Sequence, residues 1–568
     1  RITDHDRRIG SHISAREVSM NSKSILLMAI NTALLAGPTL AQSDRMVAQE
    51  NLRQHLFAIA DDSMLGRDTG SHGNFKATQY VAQTFQSLGL EPAGEEQTFF
   101  QAVPLGHVTV ESASHLATAA REFQLGDDFL PLGAAPGVHS REATAVFGGY
   151  ATDSTSWPAA DQVTGRLVVM PLSREQAARP ISPSAVLANP RFADAAAVAI
   201  VELDLLPPSV VARLINGRMT TRTETEDGTP SRIGLLISNA AAEQIMGTVL
   251  TGATPGTTGQ TVKIDIAVSF TPLEYPARNV VAILRGSDPR VNGQYVSLTA
   301  HNDHTGTTSR PVDHDSLRAF NRFVRPMGAD SPRREPTAVE VTRINSTLDS
   351  LRALNPPRPD SIMNGADDDG SGTVALLEIA RSLAEMPERP RRSILFVSHA
   401  AEEVGLVGSS WFTDHPTVPR DSIIAEIDMD MVGRGLQQDR PEGGPGYLEV
   451  IGSRRLSTEL GDILEEVNSQ LPEPFEFNYE YDVPGHPLQY YCRADHYSYA
   501  RYGIPSISLS RGAHSDYHQV TDEPQYINYP GLARVALLVQ RTALRLVNLD
   551  HRIVVDKPLP NPNAPCRQ

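Results

Sequence analysis

The sequence predicts an α/β fold with a mixed, largely parallel central sheet flanked by helices. Short unbroken apolar runs, such as ILFV at residues 394–397, are typical of strands buried on both faces. Longer segments carry apolar residues at helical spacing, such as TVALLEIARSLAEM at residues 373–386. Several apolar runs end in His, Asp or Glu, and in an open α/β sheet such side chains gather at the edge where ligands bind.

Composition limits the class of protein. The chain has 568 residues, enough for roughly three or four domains. Its 40% hydrophobic and 21% charged residues are ordinary for a soluble globular protein. A net charge of −17 argues against a nucleic-acid partner and against binding to an anionic membrane surface.

Residues 1–41 are interpreted as upstream residues and a signal peptide. Met20 is the better start of translation, Lys23 supplies the positive charge, and residues 25–35 form the apolar region. Residues 39–41 make a plausible cleavage site, although an uncleaved anchor is the alternative. This apolar run is too short to span a bilayer comfortably, and no later stretch spans one. We expect a secreted or periplasmic protein without stable membrane insertion after signal removal.

Changes in composition along the remaining chain predict its domain order. The predicted segments are the first part of the main domain at 42–139, an inserted domain at 140–270, the rest of the main domain at 271–550, and a C-terminal tail at 551–568. The segment 140–270 has short apolar runs separated by Pro, Gly and Thr, and no cluster of His and carboxylates. Residues 310–362 are rich in Arg, Pro, Asp and Ser and are predicted to be a surface insertion with a helical piece.

Five segments place polar groups at the ends of these elements. They are His301-Asn-Asp303 after QYVSLTA, Asp367-Asp368-Asp369 before the TVALLEI helix, Glu402-Glu403 after ILFVSH, Asp430 after SIIAEIDM, and His518 beyond GIPSISLS. Because the carboxyl ends of parallel strands meet at one edge of a sheet, we expect these groups to converge. The aspartates at the start of a helix can accept hydrogen bonds from its free N–H groups.

Such a set of side chains predicts a metal site. Cys492 and Cys566 are the only cysteines, which excludes a cysteine zinc site but allows one disulfide in an oxidising compartment. Two histidines and three carboxylates suit a metal that prefers nitrogen and oxygen, and zinc is the common choice. Two ions sharing one carboxylate would use five such ligands. Asp303 is well placed to accept the second ring N–H of His301.

Taken in order, the motifs AHND, GADDDGSG, AAEEVGLVGS, DMDMVGR and DYHQVTD resemble those of the secreted dizinc aminopeptidase family. Relatives of that family include glutamate carboxypeptidase II, the transferrin receptor and glutaminyl cyclase. The resemblance covers most of residues 50–130 and 275–548, and the ordered set is highly specific. It implies a zinc exopeptidase fold, with an inserted protease-associated-like domain at about residues 140–270.

The resemblance also implies a ligand set for two zinc ions per chain. His301, Glu403, Asp430 and His518 match terminal zinc ligands, and Asp368 matches the carboxylate that bridges both ions. The family pattern would place His301 with Asp430 on one ion and Glu403 with His518 on the other. The interval between His301 and Asp368 is far longer than in the minimal members, which affects access to the site.

Other positions match residues that act beside the metals. Glu402 matches the general base, Asp303 the residue that orients the first histidine, and Tyr517 a residue that stabilises the oxyanion in some members. His304 and His399 are additional imidazoles close to the motifs. We expect these two to be structural or to support the ligands from outside the coordination sphere.

The expected activity is that of a zinc-dependent exopeptidase that hydrolyses the N-terminal peptide bond with a metal-activated water. A carboxypeptidase needs arginines clustered at the metals, whereas Arg434, Arg493 and Arg511 are dispersed. We therefore expect peptide substrates with a free N-terminus. The alternatives are a carboxypeptidase or a one-zinc glutaminyl cyclase on the same fold, or a non-catalytic binding protein. The acidic stretch 367–369 lacks the spacing of a calcium loop, and no G-x-S-x-G serine hydrolase motif is present.

Overall fold

The computed structural model describes residues 47–172, 186–187, 189–221, 233–354, 356–564 and 566–568. The predicted upstream residues and signal peptide lie outside these described residues. Within them, none of the helices combines the length and the apolar character that crossing a bilayer would require.

Strands dominate the first half of the described chain. In chain order they are β1 (Glu91–Pro92), β2 (Phe100–Val103), β3 (Leu105–Val110), β4 (His115–Thr118), β5 (Glu122–Phe123), β6 (Phe129–Leu132), β7 (Gly137–Phe147), β8 (Leu167–Pro171), β9 (Ala197–Val201), β10 (Arg218–Thr221), β11 (Ile233–Ile237), β12 (Thr258–Pro272), β13 (Ala277–Leu284), β14 (Tyr295–His301), β15 (Thr307–Asp313), β16 (Pro359–Ile362), β17 (Ser393–His399), β18 (Ile423–Met429), β19 (Tyr447–Ile451), β20 (Glu476–Asn478) and β21 (Ser506–Ser510).

Helices flank these strands. In chain order they are α1 (Gln49–Ile59), α2 (His72–Ser87), α3 (Ala160–Val163), α4 (Pro208–Asn216), α5 (Asn239–Met246), α6 (His314–Val324), α7 (Ala338–Arg352), α8 (Gly370–Ala384), α9 (Val407–Asp414), α10 (Thr458–Ser469), α11 (His496–Ala500) and α12 (Tyr529–Val547).

The central sheet has the strand order β1-β13-β17-β14-β18-β21-β19-β20, and β2 also pairs with β13. Its four middle strands, β17-β14-β18-β21, are parallel, and both flanks join them through antiparallel pairs. The predicted mixed α/β fold is therefore confirmed. The parallel centre brings the carboxyl ends of four strands to one edge, as the sequence analysis required.

The middle strands are buried on both faces, which explains their continuous apolar sequences. Every residue of β14, β17 and β18 is buried. On one face, α1, α8 and α12 share a hydrophobic core with these strands. On the other face, Phe412 of α9 and Tyr499 of α11 pack against Leu395 and Val397 of β17. This packing fixes the strand ends from which the candidate site is built.

A second sheet lies between residues 105 and 272 and has the strand order β10-β3-β12-β7-β8-β9-β11-β6; β4 also pairs with β12, and β5 pairs with β4. It has hydrophobic clusters of its own, one around Phe147 and one around Val168. The sheet begins at Leu105, earlier than the boundary at residue 140 expected from the sequence. The segments 107–112 and 122–125 are strand-like in sequence, but β3 pairs with β12, and a pairing over such a distance has no local signal.

The surface insertion predicted at residues 310–362 is an ordered unit. Strands β15 and β16 pair at its base, and α6 and α7 pack against each other beyond them. Helix α7 has no buried residue, and it begins with a capping box between Thr337 and Glu340. This helix corresponds to the helical piece expected near residues 338–354.

The tail after α12 returns to the region that precedes α11. A disulfide joins Cys492 to Cys566, with the two Cα atoms 5.8 Å apart and 74 residues between them in sequence. Gln568 reinforces this connection, since its carbonyl accepts a hydrogen bond from the N–H of Gly485 at 3.0 Å. The Oε1 atom of Gln568 also accepts one from the N–H of Tyr491 at 2.9 Å.

Candidate metal centre

The five predicted zinc ligands lie together at the carboxyl edge of the central sheet. His301 ends β14, Asp368 lies just before α8, Glu403 follows β17, Asp430 follows β18, and His518 lies in the loop after β21. Their ligand atoms form two groups in which all atoms lie within 4.8 Å of one another, and Asp368 belongs to both.

The first group contains His301, Asp368 and Asp430. The Nε2 atom of His301 is 3.1 Å from Oδ1 of Asp368 and 3.8 Å from Oδ1 of Asp430. The His301 side chain is only 2% exposed, because it ends a strand buried on both faces. Three donor atoms therefore converge in a nearly dry environment.

The second group contains Asp368, Glu403 and His518, together with His304. The Nε2 atom of His518 is 2.9 Å from Oδ2 of Asp368 and 3.0 Å from Oε2 of Glu403. Asp368 thus turns one carboxylate oxygen towards each group, the arrangement that a bridging ligand requires. The two groups have the same membership as the zinc pairs implied by the family resemblance, with His304 added.

His304 and His399, the two additional imidazoles, lie in different surroundings. The Nδ1 atom of His304 is 2.7 Å from Oε1 of Glu403, so this ring contacts a predicted ligand. His399 belongs to neither group; its Nε2 atom lies 3.1 Å from the hydroxyl of Tyr499, inside the core.

The donor set fits zinc. Several buried donor atoms have no hydrogen-bond partner, namely Nε2 of His301, Nδ1 of His304, Oδ2 of Asp368 and Oε1 of Glu403. Leaving a buried polar atom unpaired costs about 1–3 kcal/mol, so a cluster of such atoms needs an explanation. A cation bound between them would supply it, and imidazole with carboxylate is a ligand combination that zinc accepts.

The pKa shifts in the second group also favour a bound metal ion. Burial lowers the pKa of His518, but the carboxylates of Asp368 and Glu403 outweigh it and raise this pKa to about 10. Burial raises the pKa of Asp368, but hydrogen bonds with His301 and His518 lower it well below its usual range. The second group thus holds the Asp368 carboxylate ionised by drawing on positive charge, which a metal ion supplies.

Glu402 and Glu403 are neighbours in sequence but differ in position. Glu403 belongs to the second ligand group, whereas Glu402 belongs to neither. Burial raises the pKa of Glu402 well above its usual range, and the charges of Asp430 and Glu403 raise it further. A carboxylate beside the metal groups, with its affinity for protons increased, can accept a proton during a reaction.

Asp303 has a wider role than the sequence indicated. Its carboxylate was expected to accept the Nδ1–H of His301, but Oδ1 is 3.6 Å from that nitrogen and the Asp303 carbonyl is closer, at 3.2 Å. The carboxylate instead accepts the N–H of Glu402 at 3.1 Å, the N–H of Glu403 at 3.3 Å and the hydroxyl of Thr69 at 2.8 Å. Asp303 therefore holds the loop that carries both glutamates.

The three consecutive aspartates have separate functions. Asp367 accepts the N–H of Gly433 at 2.6 Å, next to the ligand loop after β18. Asp369 caps α8 and also accepts the N–H of His301 at 3.0 Å. Asp522 accepts the N–H groups of Asp367 at 2.9 Å and Asp368 at 3.2 Å. The cap made by Asp369 agrees with the role expected of the aspartates at this helix start, whereas Asp522 was not assigned a role from the sequence although it lies within a quoted motif.

A cavity of about 80 Å³ opens beside Asp430. Its walls include Ile451, Tyr490, Arg493 and Tyr517. The Nη2 atom of Arg493 lies 3.4 Å from the hydroxyl of Tyr517, and burial raises the pKa of that tyrosine well above its usual range. The Tyr517 hydroxyl is therefore protonated, and Tyr517 directly precedes His518, one of the predicted ligands.

The three arginines near the motifs are all engaged by other groups. Arg493 makes two hydrogen bonds to the carboxylate of Asp330, at 3.0 and 3.1 Å. Arg434 is buried and donates to Asp439 at 2.7 Å and to Asp516 at 2.9 Å. Arg511 donates to the carbonyl of Gly444 at 2.8 Å.

An α/β fold with two histidine–carboxylate groups that share one aspartate at the strand ends is the arrangement of a metal-dependent hydrolase. Comparison with known proteins narrows this class, because residues 279–543 match Peptidase family M28. The resemblance to zinc aminopeptidases that the motifs indicated is confirmed.

Several similar proteins carry aminopeptidase names, and one similar solved structure is a glutaminyl cyclase from Porphyromonas gingivalis. Mouse aminopeptidase NAALADL1 is 40% identical over 99 residues, which is 16% of this chain and 13% of that protein. Leucine aminopeptidase 1 of Penicillium rubens is 30% identical over 232 residues, or 38% of this chain and 55% of that protein. The solved aminopeptidase from Aneurinibacillus sp. strain AM-1 aligns with a TM-score of 0.46 and 16% identity, over 90% of this chain and 97% of that one. The chain spans 13% of the mouse protein and 55% of the Penicillium protein, which is about half or less of the length of these two curated relatives.

Proposed function

We propose that this protein is a dizinc aminopeptidase that releases one residue from the N-terminus of peptides. The observation that carries the proposal is the pair of ligand groups joined by Asp368, with Glu402 beside them but outside both. His301, Asp368 and Asp430 would hold one zinc ion, and Asp368, Glu403 and His518 the other. Zinc ions, when bound, polarise a carbonyl group and acidify water.

The side chains would divide the remaining work. Glu402 takes a proton from the attacking water and delivers it to the departing amine, a transfer helped by the raised pKa of its carboxyl group. The protonated hydroxyl of Tyr517 can donate a hydrogen bond to the developing oxyanion. Asp303 keeps Glu402 in place through the backbone N–H that it accepts.

Several observations support attack at the N-terminus. A carboxypeptidase requires an arginine free to bind a C-terminal carboxylate, whereas Arg434, Arg493 and Arg511 already hold protein groups. A free α-amine is positively charged and is attracted to carboxylates such as Glu402 and Asp430. The cavity beside Asp430 is small, at about 80 Å³, and Ile451 in its wall favours a compact apolar side chain.

The direction of attack is tested with two peptides of one sequence. One has a free N-terminus and its twin is N-acetylated, and release of the first and last residues is followed by mass spectrometry. We expect cleavage of the free peptide only, with the first residue released. Equal kcat/KM for both peptides, or earlier release of the last residue, would disprove N-terminal attack.

Metal content tests the dizinc assignment. We expect about two zinc ions per purified chain and loss of activity with a chelator, restored by zinc. Full peptidase activity with one zinc ion at saturation would refute the dizinc assignment, whereas one zinc ion with no hydrolysis and with cyclisation of an N-terminal glutamine peptide would favour the glutaminyl cyclase alternative.

We also propose that the protein works outside the cytoplasm, as a secreted or periplasmic enzyme. The disulfide between Cys492 and Cys566 supports this, since such bonds persist mainly in oxidising compartments. For the second sheet we propose a protease-associated-like role in shaping access to the site. Within the described residues, none of the candidate metal groups lies between residues 105 and 272.

A further inference from the structure

His304 is held rigidly against the second ligand group. Its side chain is fully buried, and Gly365 packs directly against the ring. A Cβ atom at Gly365 would lie 2.4 Å from Cγ of His304, and the backbone there has a φ of +54°, so glycine is needed for both reasons. The loop before α8 and the loop after β14 are therefore shaped to admit this imidazole.

Buried atoms of His304, Glu403 and Asp368 meet at the second group. The Nδ1 atom of His304 is 2.7 Å from Oε1 of Glu403 and 3.6 Å from Oδ2 of Asp368. All three atoms are buried and have no hydrogen-bond partner. A cation between them would pair all three.

We propose that His304 is a fourth protein ligand of the second zinc ion, through Nδ1. This inference rests on the proposed dizinc function and adds to it a ligand beyond the five that the family resemblance implies. The second ion would then be held by His304, Asp368, Glu403 and His518, all four of which have ligand atoms within 4.8 Å of one another. The first ion keeps three protein ligands, His301, Asp368 and Asp430.

With His304 as a ligand, the two ions differ in their number of protein ligands. Four protein ligands are typical of a structural zinc site, whereas catalytic sites have three and leave a position for water or substrate. The second ion should therefore bind more tightly and exchange more slowly. Substrate chemistry would centre on the ion at His301 and Asp430, the side on which the cavity opens.

The direct test counts imidazoles around zinc by X-ray absorption on the wild-type protein loaded with two equivalents. The proposal predicts three imidazoles distributed over the two ions. With one equivalent of zinc, which should occupy the tighter second site, it predicts two imidazoles around that ion. Two imidazoles over two ions would overturn it, because His304 would then only contact Glu403. This readout requires neither a variant nor activity.

Zinc affinities provide a second test. Titration of the metal-free wild type should show two ions whose affinities differ by at least about 10-fold. In His304→Gln, the tighter site should weaken by at least ~10²-fold while the other keeps its affinity. His399→Gln is the matched control, since His399 is an equally buried imidazole that contacts Tyr499 and neither metal group. Unchanged affinities in His304→Gln, with the protein folded, would refute the proposal.

Failure of the inference can be separated from failure of the proposed function. A wild-type protein that binds two zinc ions and releases N-terminal residues, but shows two imidazoles in total, loses only the role of His304. A wild-type protein that binds one zinc ion or none loses the dizinc function, and the inference with it.

Discussion

Replacing Asp303 with Asn is the most informative single change, because it keeps the size of the side chain and removes one acceptor oxygen. Asp303 is 0% exposed and accepts hydrogen bonds from the backbone of both Glu402 and Glu403 and from Thr69. The amide can present its oxygen to one backbone N–H but must turn its NH₂ group towards the other. At least one buried N–H is therefore left unpaired, whichever way the amide points.

An unpaired buried N–H costs about 1–3 kcal/mol, and the cost falls on the loop that carries Glu403, the proposed zinc ligand, and Glu402, the proposed general base. If the loop moves to relieve it, zinc affinity should fall by roughly 10–100-fold, the range typical of residues that support metal ligands. Turnover should fall as well, because Glu402 shares the displaced loop. We expect the site that contains Glu403 to be affected more than the site that contains Asp430.

The assay is zinc competition against a chelating dye, combined with kcat on a short free peptide. Thr69→Val is the matched control, since it removes only the hydroxyl that also contacts Asp303, at 2.8 Å, and leaves both backbone bonds in place. Its zinc affinity should stay within a few-fold of the wild type. Wild-type zinc affinity and turnover in Asp303→Asn would refute the assignment of Asp303 as the residue that holds this loop.

Three other predictions follow from the site and its surroundings. Glu402→Gln should keep both zinc ions yet lower kcat by at least ~10²-fold, whereas Glu403→Gln should also lose zinc; equal metal content and equal rate loss would reverse our assignment. Burial and the nearby carboxylates of Asp360 and Asp62 raise the pKa of Glu523 from 4.5 to about 8. Folding therefore favours the protonated carboxyl group, and its contribution to the free energy of unfolding is complete below pH 4.5 and is lost as the pH rises through 8. Glu523→Gln should flatten this dependence in urea unfolding between pH 5 and 8. Changes to exposed polar residues of the second sheet should alter KM for long peptides and leave kcat on a very short one nearly unchanged.

The sequence predicted those parts of the molecule in which one local signal determines the outcome. Strands β14, β17 and β18 are buried on both faces, so their apolar runs and the polar residues that end them were visible without the structure. The meeting of His301, Glu403 and Asp430 at one edge followed from the parallel order of these strands.

Contacts between distant segments could not be predicted in this way. Thr69 reaches Asp303 across 234 positions, and nothing in the local sequence indicates that pairing. His304 was given a supporting role because a single histidine after a motif is more often structural, and only the structure shows its ring against Gly365 and close to Glu403. The early start of the second sheet was missed because the pairing of β3 with β12 joins segments far apart in sequence.

The disulfide between Cys492 and Cys566 has a consequence for handling the protein. The segment that it fastens, together with the contacts of Gln568 to Tyr491, runs directly into Tyr490 and Arg493 in the wall of the cavity. A reducing buffer, or an affinity tag fused beyond Gln568, therefore acts on the rim of the binding pocket although neither touches the metals. Preparations made with and without thiols should differ in how well they hold a peptide before they differ in zinc content.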